Sequence, residues 1–258
     1  AEPMARTIAA IEGMADEARR NGAASIAAVG TAGLRIAPNS EELVDAVRDH
    51  SGIGVEIISG EEEARLAYVA ATSALSLPTG SLVVFDTGGG SSQFSFGERD
   101  RVDERFSVEV GAVRFTEQFG LDGVVSDEAL SAARAAIAAD LERLDGRVPP
   151  ETLIAMGGAV TNLAGVRHEL AEYDPDIVQG TVLDRAEIDR QIELFRSRSA
   201  DERRTIVGLQ PARAEVILAG ACIVRAVLDK LGSDSLTVSD RGLRYGVLAE
   251  RFDLVSRD

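Results

Sequence analysis

The chain has 258 residues, and 27 Lys and Arg against 43 Asp and Glu give it a formal net charge of −16. This length suits one large domain or two of ordinary size, and 45% hydrophobic residues are enough for a packed core. The sequence shows no apolar run of the roughly 20 residues that cross a membrane and no secretory signal pattern, and the single Cys222 excludes a disulfide framework. Because the acidic balance also argues against loose binding to nucleic acid, we expect a cytoplasmic protein without nucleic-acid or membrane partners.

The first third of the chain alternates predicted helices with short buried strands. Helical spacing predicts helices at 4–20, after Ser40 and at 61–71, and apolar runs predict strands at 24–29 and 55–58. Between the first strand and the next helix, the segment TAGLRIAPNS is predicted to be a loop, with Ser40 as the helix cap. Strands that alternate with helices indicate parallel pairing in an α/β layer.

The rest of the chain is predicted to form a second α/β unit. Residues 75–81 (LSLPTGS) have the composition of a linker, so we predict a first domain over 1–79 and a second domain over 80–258. The pattern of the second domain predicts three successive strands and then alternating helices and strands, in the order βββαβαβα. Its predicted strands are 82–85, 93–96, 106–110, 153–156 and 236–239, and its predicted helices are 127–144, 160–171, 185–195, 213–231 and 243–252.

The strongest local motif is the segment DTGGGSS, which runs from Asp86 to Ser92 and follows a predicted buried strand. Its three glycines allow the backbone to approach an anion, so that successive N–H groups can point at one phosphate group. The two serine hydroxyls add donors, and Asp86 is placed to hold Mg²⁺ directly or through water. The alternative is a glycine-rich hairpin turn without a ligand, although three glycines exceed what a turn requires.

Three further segments carry candidate chemistry, each with a plainer alternative. Glu63 is a candidate general base at a helix start, where the helix dipole by itself explains one or two acidic residues. Arg35 follows a predicted strand, where α/β folds contact ligands, or it is a surface arginine. Gly157 and Gly158 lie between a predicted strand and a helix start, which suits either an anion or tight packing.

Taken together and in order, these segments resemble the Ppx/GppA phosphatase family of exopolyphosphatases and guanosine pentaphosphate phosphohydrolases. Seven collinear stretches carry the resemblance: VGTAGLRIAPN, VEIISGEEEARLAY, LVVFDTGGGSSQFSFG, VGAVRFTEQF, AMGGAVTNLAG, VGLQPARAEVILAGA and VSDRGLRYGVL. The resemblance implies an α/β protein with the actin-like, Hsp70-type ATPase fold (ribonuclease H-like), in which two α/β domains surround a cleft. It also implies Mg²⁺-dependent hydrolysis of a terminal phosphoanhydride bond, with inorganic polyphosphate or guanosine pentaphosphate as the substrate.

By position, the resemblance implies roles for individual residues. Glu63 is the implied base that activates the attacking water, with Glu62 as the near alternative, and Arg35 is the implied phosphate-contacting arginine. Asp86 is the implied metal carboxylate. Gln93 stands where the family usually has Glu; its amide oxygen can ligate a metal but brings no charge, which weakens the metal site or leaves the metal to other ligands. The implied phosphate loop is Gly88, Gly89, Gly90, Ser91 and Ser92, to which the residue pattern adds Gly157 and Gly158.

The sequence departs from the family pattern in two further places. Tyr245 replaces the Glu of a GLREG motif, and the initial hairpin with an Asp-x-Gly-Ser-Asn phosphate loop is absent from this sequence. We therefore expect an incomplete first domain with two good strands, through truncation or natural loss.

The alternatives to a hydrolase are an ATP-dependent kinase of the same fold and a non-catalytic binder of phosphate-rich ligands. A homodimer through the small-residue helix 213–231 is a further expectation, with packing of that helix in the core as its alternative.

Overall fold

The first part of the chain folds into a two-stranded parallel sheet with helices packed on it. The computed structural model describes residues 2–75, 79–99 and 101–252. The strands of this small sheet are β1 (Ala28–Gly30) and β2 (Val55–Ile57), and its helices are α1 (Glu2–Arg20), α2 (Ala32–Ile36), α3 (Ser40–Ser51) and α4 (Gly60–Ala74). The predicted alternation and the parallel pairing are confirmed.

Three local predictions in this part are wrong. The strand predicted over 24–29 is β1 at Ala28–Gly30, so residues 24–27 are not in a strand. The segment predicted as a loop contains the short helix α2, because Leu34 turns its apolar side chain into the cluster between α1 and α3. Asn39 rather than Ser40 occupies the N-cap position of α3, and it makes no side-chain capping bond. The packing of Leu43 and Val47 against Ala15 of α1 is therefore the main stabilising contact of α3.

A six-stranded mixed sheet forms the centre of the molecule. Its strands are β3 (Ser81–Thr87), β4 (Ser92–Glu98), β5 (Arg101–Val108), β6 (Thr152–Met156), β7 (Val182–Asp184) and β8 (Ser235–Val238). Their spatial order is β5-β4-β3-β6-β8-β7, with β3, β6 and β8 parallel to one another. The carboxyl ends of these three strands consequently meet at one edge of the sheet, where α/β folds place their ligands. The edge strand β7 was not predicted, since three residues carry too little pattern.

Helices cover both faces of this sheet. They are α5 (Ala112–Phe119), α6 (Asp127–Asp140), α7 (Gly158–Arg167), α8 (Pro175–Val178), α9 (Arg185–Arg196), α10 (Ala200–Arg203), α11 (Ile217–Lys230) and α12 (Leu243–Arg251). The predicted helix over 127–144 ends at Asp140 and continues as a 3₁₀ turn over Glu142–Leu144. The predicted helix over 160–171 starts earlier, at Gly158, and ends at Arg167. The helix predicted over 213–231 begins only at Ile217, after a 3₁₀ turn over Pro211–Arg213.

Helix α11 lies in the core of the chain. Its residues 217–224 are all buried, and a methyl group placed on Gly220 would lie 2.5 Å from Cβ of Ala159 on α7. Small residues in α11 thus allow close helix packing within one chain. This packing accounts for the small-residue pattern, so the pattern no longer supports a homodimer.

Helix α4 packs on the large sheet, although the predicted domain boundary assigns it to the first domain. Ser95 Oγ on β4 donates to Ala64 O (2.9 Å), and Tyr68 Oη donates to Arg99 O (2.7 Å). On its other side α4 meets α12, where a side chain at Gly246 would run into the backbone of Leu66. The large sheet therefore fixes the helix that carries the candidate base.

Residues 76–78, within the predicted linker, lie outside the described residues. In the part of the chain that is described, none of the helices is long and apolar enough to cross a membrane.

Candidate active site

The glycine-rich segment forms a tight loop at the carboxyl edge of the large sheet. Gly88 N donates to Ser91 O (2.9 Å), which closes the loop between β3 and β4. The first N–H groups of α5 donate back to it, from Ala112 to Gly88 O (3.0 Å) and from Val113 to Gly89 O (2.9 Å). The loop is therefore held from both sides, as a preorganised anion site requires.

A pocket of about 210 Å³ opens between this loop and the start of α7. It is lined by Asp86, Thr87, Gly88, Gly89, Ala112, Val113, Gly157, Gly158, Ala159, Arg213, Val216 and Ile217. Gly157 has a φ of +100°, and a methyl group on it would lie 2.6 Å from Oδ1 of Asp86. Glycine is thus required at 157 for conformation and for space. The two glycine motifs, 70 residues apart in the sequence, face each other across this pocket.

Arg213 is a pocket residue that sequence reasoning missed. A methyl group on Gly158 would lie 2.8 Å from Cζ and 2.9 Å from Nη2 of Arg213, so the guanidinium group covers the first residue of α7. Its side chain has no carboxylate or other hydrogen-bond partner among the described residues. The first-turn N–H groups of α7 also lack intrahelical acceptors, and together with Arg213 they make the pocket attractive to a phosphate group. Local pattern gives no signal for Arg213, although it lies in the stretch VGLQPARAEVILAGA, which carries the family resemblance.

The structure brings Arg35 and Glu63 together, although 28 residues separate them in the sequence. Arg35 Nη1 donates to Oε2 of Glu63 (2.9 Å) and to Ile58 O (2.9 Å). Glu63 is buried, with 7% of its surface exposed, in the first turn of α4. Burial raises the pKa of Glu63, and the bond and charge of Arg35 offset only part of this effect. A raised pKa suits a carboxylate that accepts a proton near neutral pH.

Glu62, the alternative base, has a different environment. Its carboxylate accepts two hydrogen bonds from Arg65 (2.8 and 2.7 Å), and Arg65 also pairs with Glu250. These bonds lower the pKa of Glu62, led by the hydrogen bond from Arg65. Ser59 caps the helix by accepting from Glu62 N (3.1 Å). The geometry therefore favours Glu63 over Glu62 as the proton acceptor.

Asp86 lies at the end of β3 and is half-buried. Burial, and then the negative charge of nearby Glu63, raise the pKa of Asp86 to about 7. Gln93 pairs directly with Asp86 across the β3–β4 ladder, which places both side chains on one face of the sheet. In the described residues no group of three or more His, Cys, Asp and Glu surrounds a common point. The oxygen-bearing side chains at this edge are Asp86, Gln93 and the neighbouring Glu63.

The two serines of the motif differ in accessibility. Ser92 is fully buried, and its hydroxyl donates to Val110 O (2.6 Å) and lies 2.8 Å from Thr87 Oγ1. Its side chain therefore shapes the loop. Ser91 Oγ accepts a hydrogen bond from Nε2 of Gln93 (2.7 Å), which keeps the amide group next to the loop.

The fold and this edge define a mixed α/β protein with glycine-rich loops at the carboxyl ends of its parallel strands. The model of the Ppx/GppA phosphatase family matches residues 1–254, and the chain belongs to this family. The predicted fold class and family resemblance are therefore confirmed.

Similar proteins are found among sequences and solved structures. The chain is 27% identical over 258 residues to exopolyphosphatase 2 of Mycobacterium tuberculosis, covering 95% of this chain and 81% of the relative. It is 30% identical over 242 residues to a guanosine-5'-triphosphate,3'-diphosphate pyrophosphatase of Aeromonas hydrophila, covering 91% of this chain and 47% of the relative. The crystal structure of the Aquifex aeolicus Ppx/GppA family member superposes with a TM-score of 0.85 at 31% identity, covering 100% of this chain and 83% of that one.

Some relatives are much longer than this chain. It is 29% identical over 225 residues to a bifunctional 3-dehydroquinate synthase/phosphatase of Fusobacterium nucleatum and spans 34% of that protein's length. The comparisons support a phosphatase-family hydrolase, and the substrate is a separate question.

Proposed function

We propose that this chain hydrolyses the terminal phosphoanhydride bond of inorganic polyphosphate or guanosine pentaphosphate. The observation that carries the proposal is the partly buried Arg35–Glu63 pair beside Asp86 and the glycine-rich loop. This arrangement combines a cation, a carboxylate of raised pKa and an anion-binding backbone, which are the parts that phosphoryl transfer to water needs. The exopolyphosphatase and pyrophosphatase names of the relatives support the same reaction class.

The phosphate chain would lie in the pocket between the two glycine motifs. Backbone N–H groups of the glycine-rich loop and the start of α7 would hold phosphate oxygens, with Arg213 supplying a positive charge from one side. Arg35 would contact the terminal phosphoryl group from the other side. Because these donors are preorganised, they offset the charge that develops on the transferred group.

Glu63 would act as the general base. Arg35 bonds to its Oε2, which leaves Oε1 to accept a proton from the attacking water. The burial that raises the pKa of Glu63 also makes its carboxylate a stronger base than an exposed one. Arg35 thus holds the base in one orientation while the phosphoryl group is held by the loop.

The oxygen ligands at this edge fit Mg²⁺. The half-buried Asp86 and the buried Glu63 place two carboxyl groups close together. Burial, and then repulsion from Glu63, raise the pKa of Asp86, and a divalent cation would relieve the repulsion. Mg²⁺ commonly uses one or two carboxylates together with substrate phosphates and water, so Asp86 with the Gln93 amide is a sufficient protein contribution. When bound, the ion would supply positive charge to the phosphoryl oxygens.

The experiment that tests this function measures phosphate release in the presence of Mg²⁺. Tripolyphosphate, long-chain polyphosphate and guanosine pentaphosphate are assayed side by side with the wild-type chain, Glu63→Gln and Glu62→Gln. We expect Glu63→Gln to lose about 10²–10⁴-fold in kcat while it still binds substrate, and Glu62→Gln to retain most activity. Equal losses in the two variants, or full activity of Glu63→Gln, would contradict the assignment of the base.

A non-catalytic binder of phosphate-rich ligands is the second candidate function. It is favoured by the neutral Gln93, which leaves Asp86 without a charged partner on the adjacent strand. Calorimetry with tripolyphosphate in Mg²⁺ distinguishes the two functions, because a binder would show saturable heat without release of phosphate.

A further inference from the structure

Ser107, on β5, lies between the two halves of the candidate active site. Its Oγ accepts a hydrogen bond from Nε2 of Gln93 (3.1 Å), and the same amide nitrogen donates to Oγ of Ser91 (2.7 Å). Both donor contacts are made inside the protein, since Gln93 is 2% and Ser91 is 6% exposed. Hydrogen bonds through the Gln93 amide therefore connect Ser107 to the glycine-rich loop.

The other side of Ser107 touches the start of the helix that carries Glu63. A methyl group on Gly60, the first residue of α4, would lie 2.5 Å from Cβ and 3.1 Å from Oγ of Ser107. The same methyl group would lie 3.7 Å from Nη2 of Arg35. The backbone of α4 is thus in direct contact with β5 at this point, and the contact leaves no room for a side chain.

We propose that Ser107 is a positioning residue, which sets the distance between the glycine-rich loop and Glu63. The proposal rests on the proposed function, in which the loop holds the phosphoryl group and Glu63 accepts the proton. Ser107 acts through its neighbours. Its Oγ accepts a hydrogen bond from the Gln93 amide and so orients it, and its Cβ limits how closely the first turn of α4 can approach β5. A base displaced by about 1 Å can lose on the order of 10²-fold in rate, so this contact controls kcat.

A double-mutant cycle separates the two parts of this role. Gly60→Ala adds the methyl group that meets Cβ of Ser107, and we expect it to lower kcat by about 10–100-fold with little change in KM. Ser107→Gly removes that Cβ, so adding Gly60→Ala to it should cost no further activity. Ser107→Ala keeps the Cβ and removes only the hydroxyl, so the Gly60→Ala, Ser107→Ala pair should be at least as impaired as Gly60→Ala. Gly54→Ala, at a glycine with no atom within 4 Å of the added methyl group, is the control.

The two serine variants must behave differently for the proposal to hold. The proposed steric contact would be overturned if the losses in kcat of Gly60→Ala and Ser107→Gly add up in the double variant. It would also be overturned if Ser107→Ala restores the activity of Gly60→Ala as fully as Ser107→Gly does. Ser107→Ala alone should lower kcat several-fold, and unchanged kcat and KM would overturn the hydrogen-bonded part. If Gly60→Ala fails to fold, Ser107→Gly must restore folding and Ser107→Ala must not.

A second measurement does not depend on turnover. Gly60→Ala should speed hydrogen exchange at the amides of Glu62 and Glu63, and Ser107→Gly should restore slow exchange. A wild-type chain that releases no phosphate would refute the proposed function, whereas the exchange data would still confirm or refute the contact between Ser107 and α4.

Discussion

The guanidinium group of Arg213 lies directly over Gly158, so that a methyl group on Gly158 would come within 2.8 Å of Cζ. The arginine comes from the turn before α11, and the glycine is the first residue of α7. This contact places a cation that has no partner among the described residues at the N-terminus of a helix, where the positive end of the helix dipole already favours an anion. The pair therefore places positive charge on one wall of the candidate phosphate pocket in a chain whose net charge is −16.

Removing the charge of Arg213 should weaken substrate binding. We expect Arg213→Ala to raise KM for tripolyphosphate by about 10–100-fold, since a hydrogen bond to a charged group contributes about 1.5–3 kcal/mol. Arg213→Lys should recover only part of this loss, because an ammonium group lacks the planar fork. Steady-state kinetics at two salt concentrations check the result. The exposed Arg204 on the same loop is the matched control, and an equal effect of Arg204→Ala would contradict a specific contact.

Asp86 should make folding stability depend on pH. Its pKa is about 7 in the folded protein against 3.8 in its ordinary state, so the unfolded chain releases this proton first as the pH rises. The folded state consequently loses stability between pH 4 and pH 7, by at most about 4 kcal/mol from this group. In EDTA, Asp86→Asn should be more stable than the wild type at pH 8, with the difference much smaller at pH 4.5. Urea unfolding at both pH values tests this, and a constant difference would contradict it.

Arg203 should be essential for stability rather than for catalysis. Its side chain is fully buried and donates to the carbonyl oxygens of Phe195, Leu121, Ala214 and Gly123 at 2.7–3.3 Å. Desolvation lowers the pKa of Arg203 to about 10. Arg203→Met would leave these acceptors without donors, and we expect it to lower the free energy of unfolding by about 3–5 kcal/mol. Denaturant unfolding measures the loss, and a change below about 1 kcal/mol would show that the carbonyl groups find other donors.

Gly246 should control how α12 packs on α4. A methyl group on Gly246 would overlap the carbonyl oxygen and carbonyl carbon of Leu66, both backbone atoms that cannot rotate away. We expect Gly246→Ala to destabilise the protein by about 1–3 kcal/mol and to lower kcat, because α4 carries Glu63. Gly242→Ala is the matched control, since no atom lies within 4 Å of its added methyl group. Thermal unfolding and phosphate release of the two variants should differ, and equal behaviour would refute the contact.

Much of the secondary structure, and the segments that form the candidate site, could be predicted from the sequence. The glycine-rich loop and the acidic helix start lie where predicted, because each depends on local pattern: buried strand, glycines, then polar groups. The parallel pairing of β1 and β2 also follows from the alternation of strands and helices. The glycine-rich loop and the helix start depend only on residues near one another in the chain. Local pattern failed for α2 and β7, which are short and owe their form to packing against distant elements.

Only the tertiary structure decided which distant residues meet. Arg213 and Ser107 have no local signal, because each gains its role from a glycine on another element that lets the backbone approach closely. The choice of Glu63 over Glu62 likewise depends on Arg35 and Arg65, which approach the two carboxylates from different elements. The sequence by itself therefore determined the family and the loops that can hold phosphate. The tertiary structure decided which charges face those loops, since burial and distance, and not residue type, set the pKa and the orientation of each group.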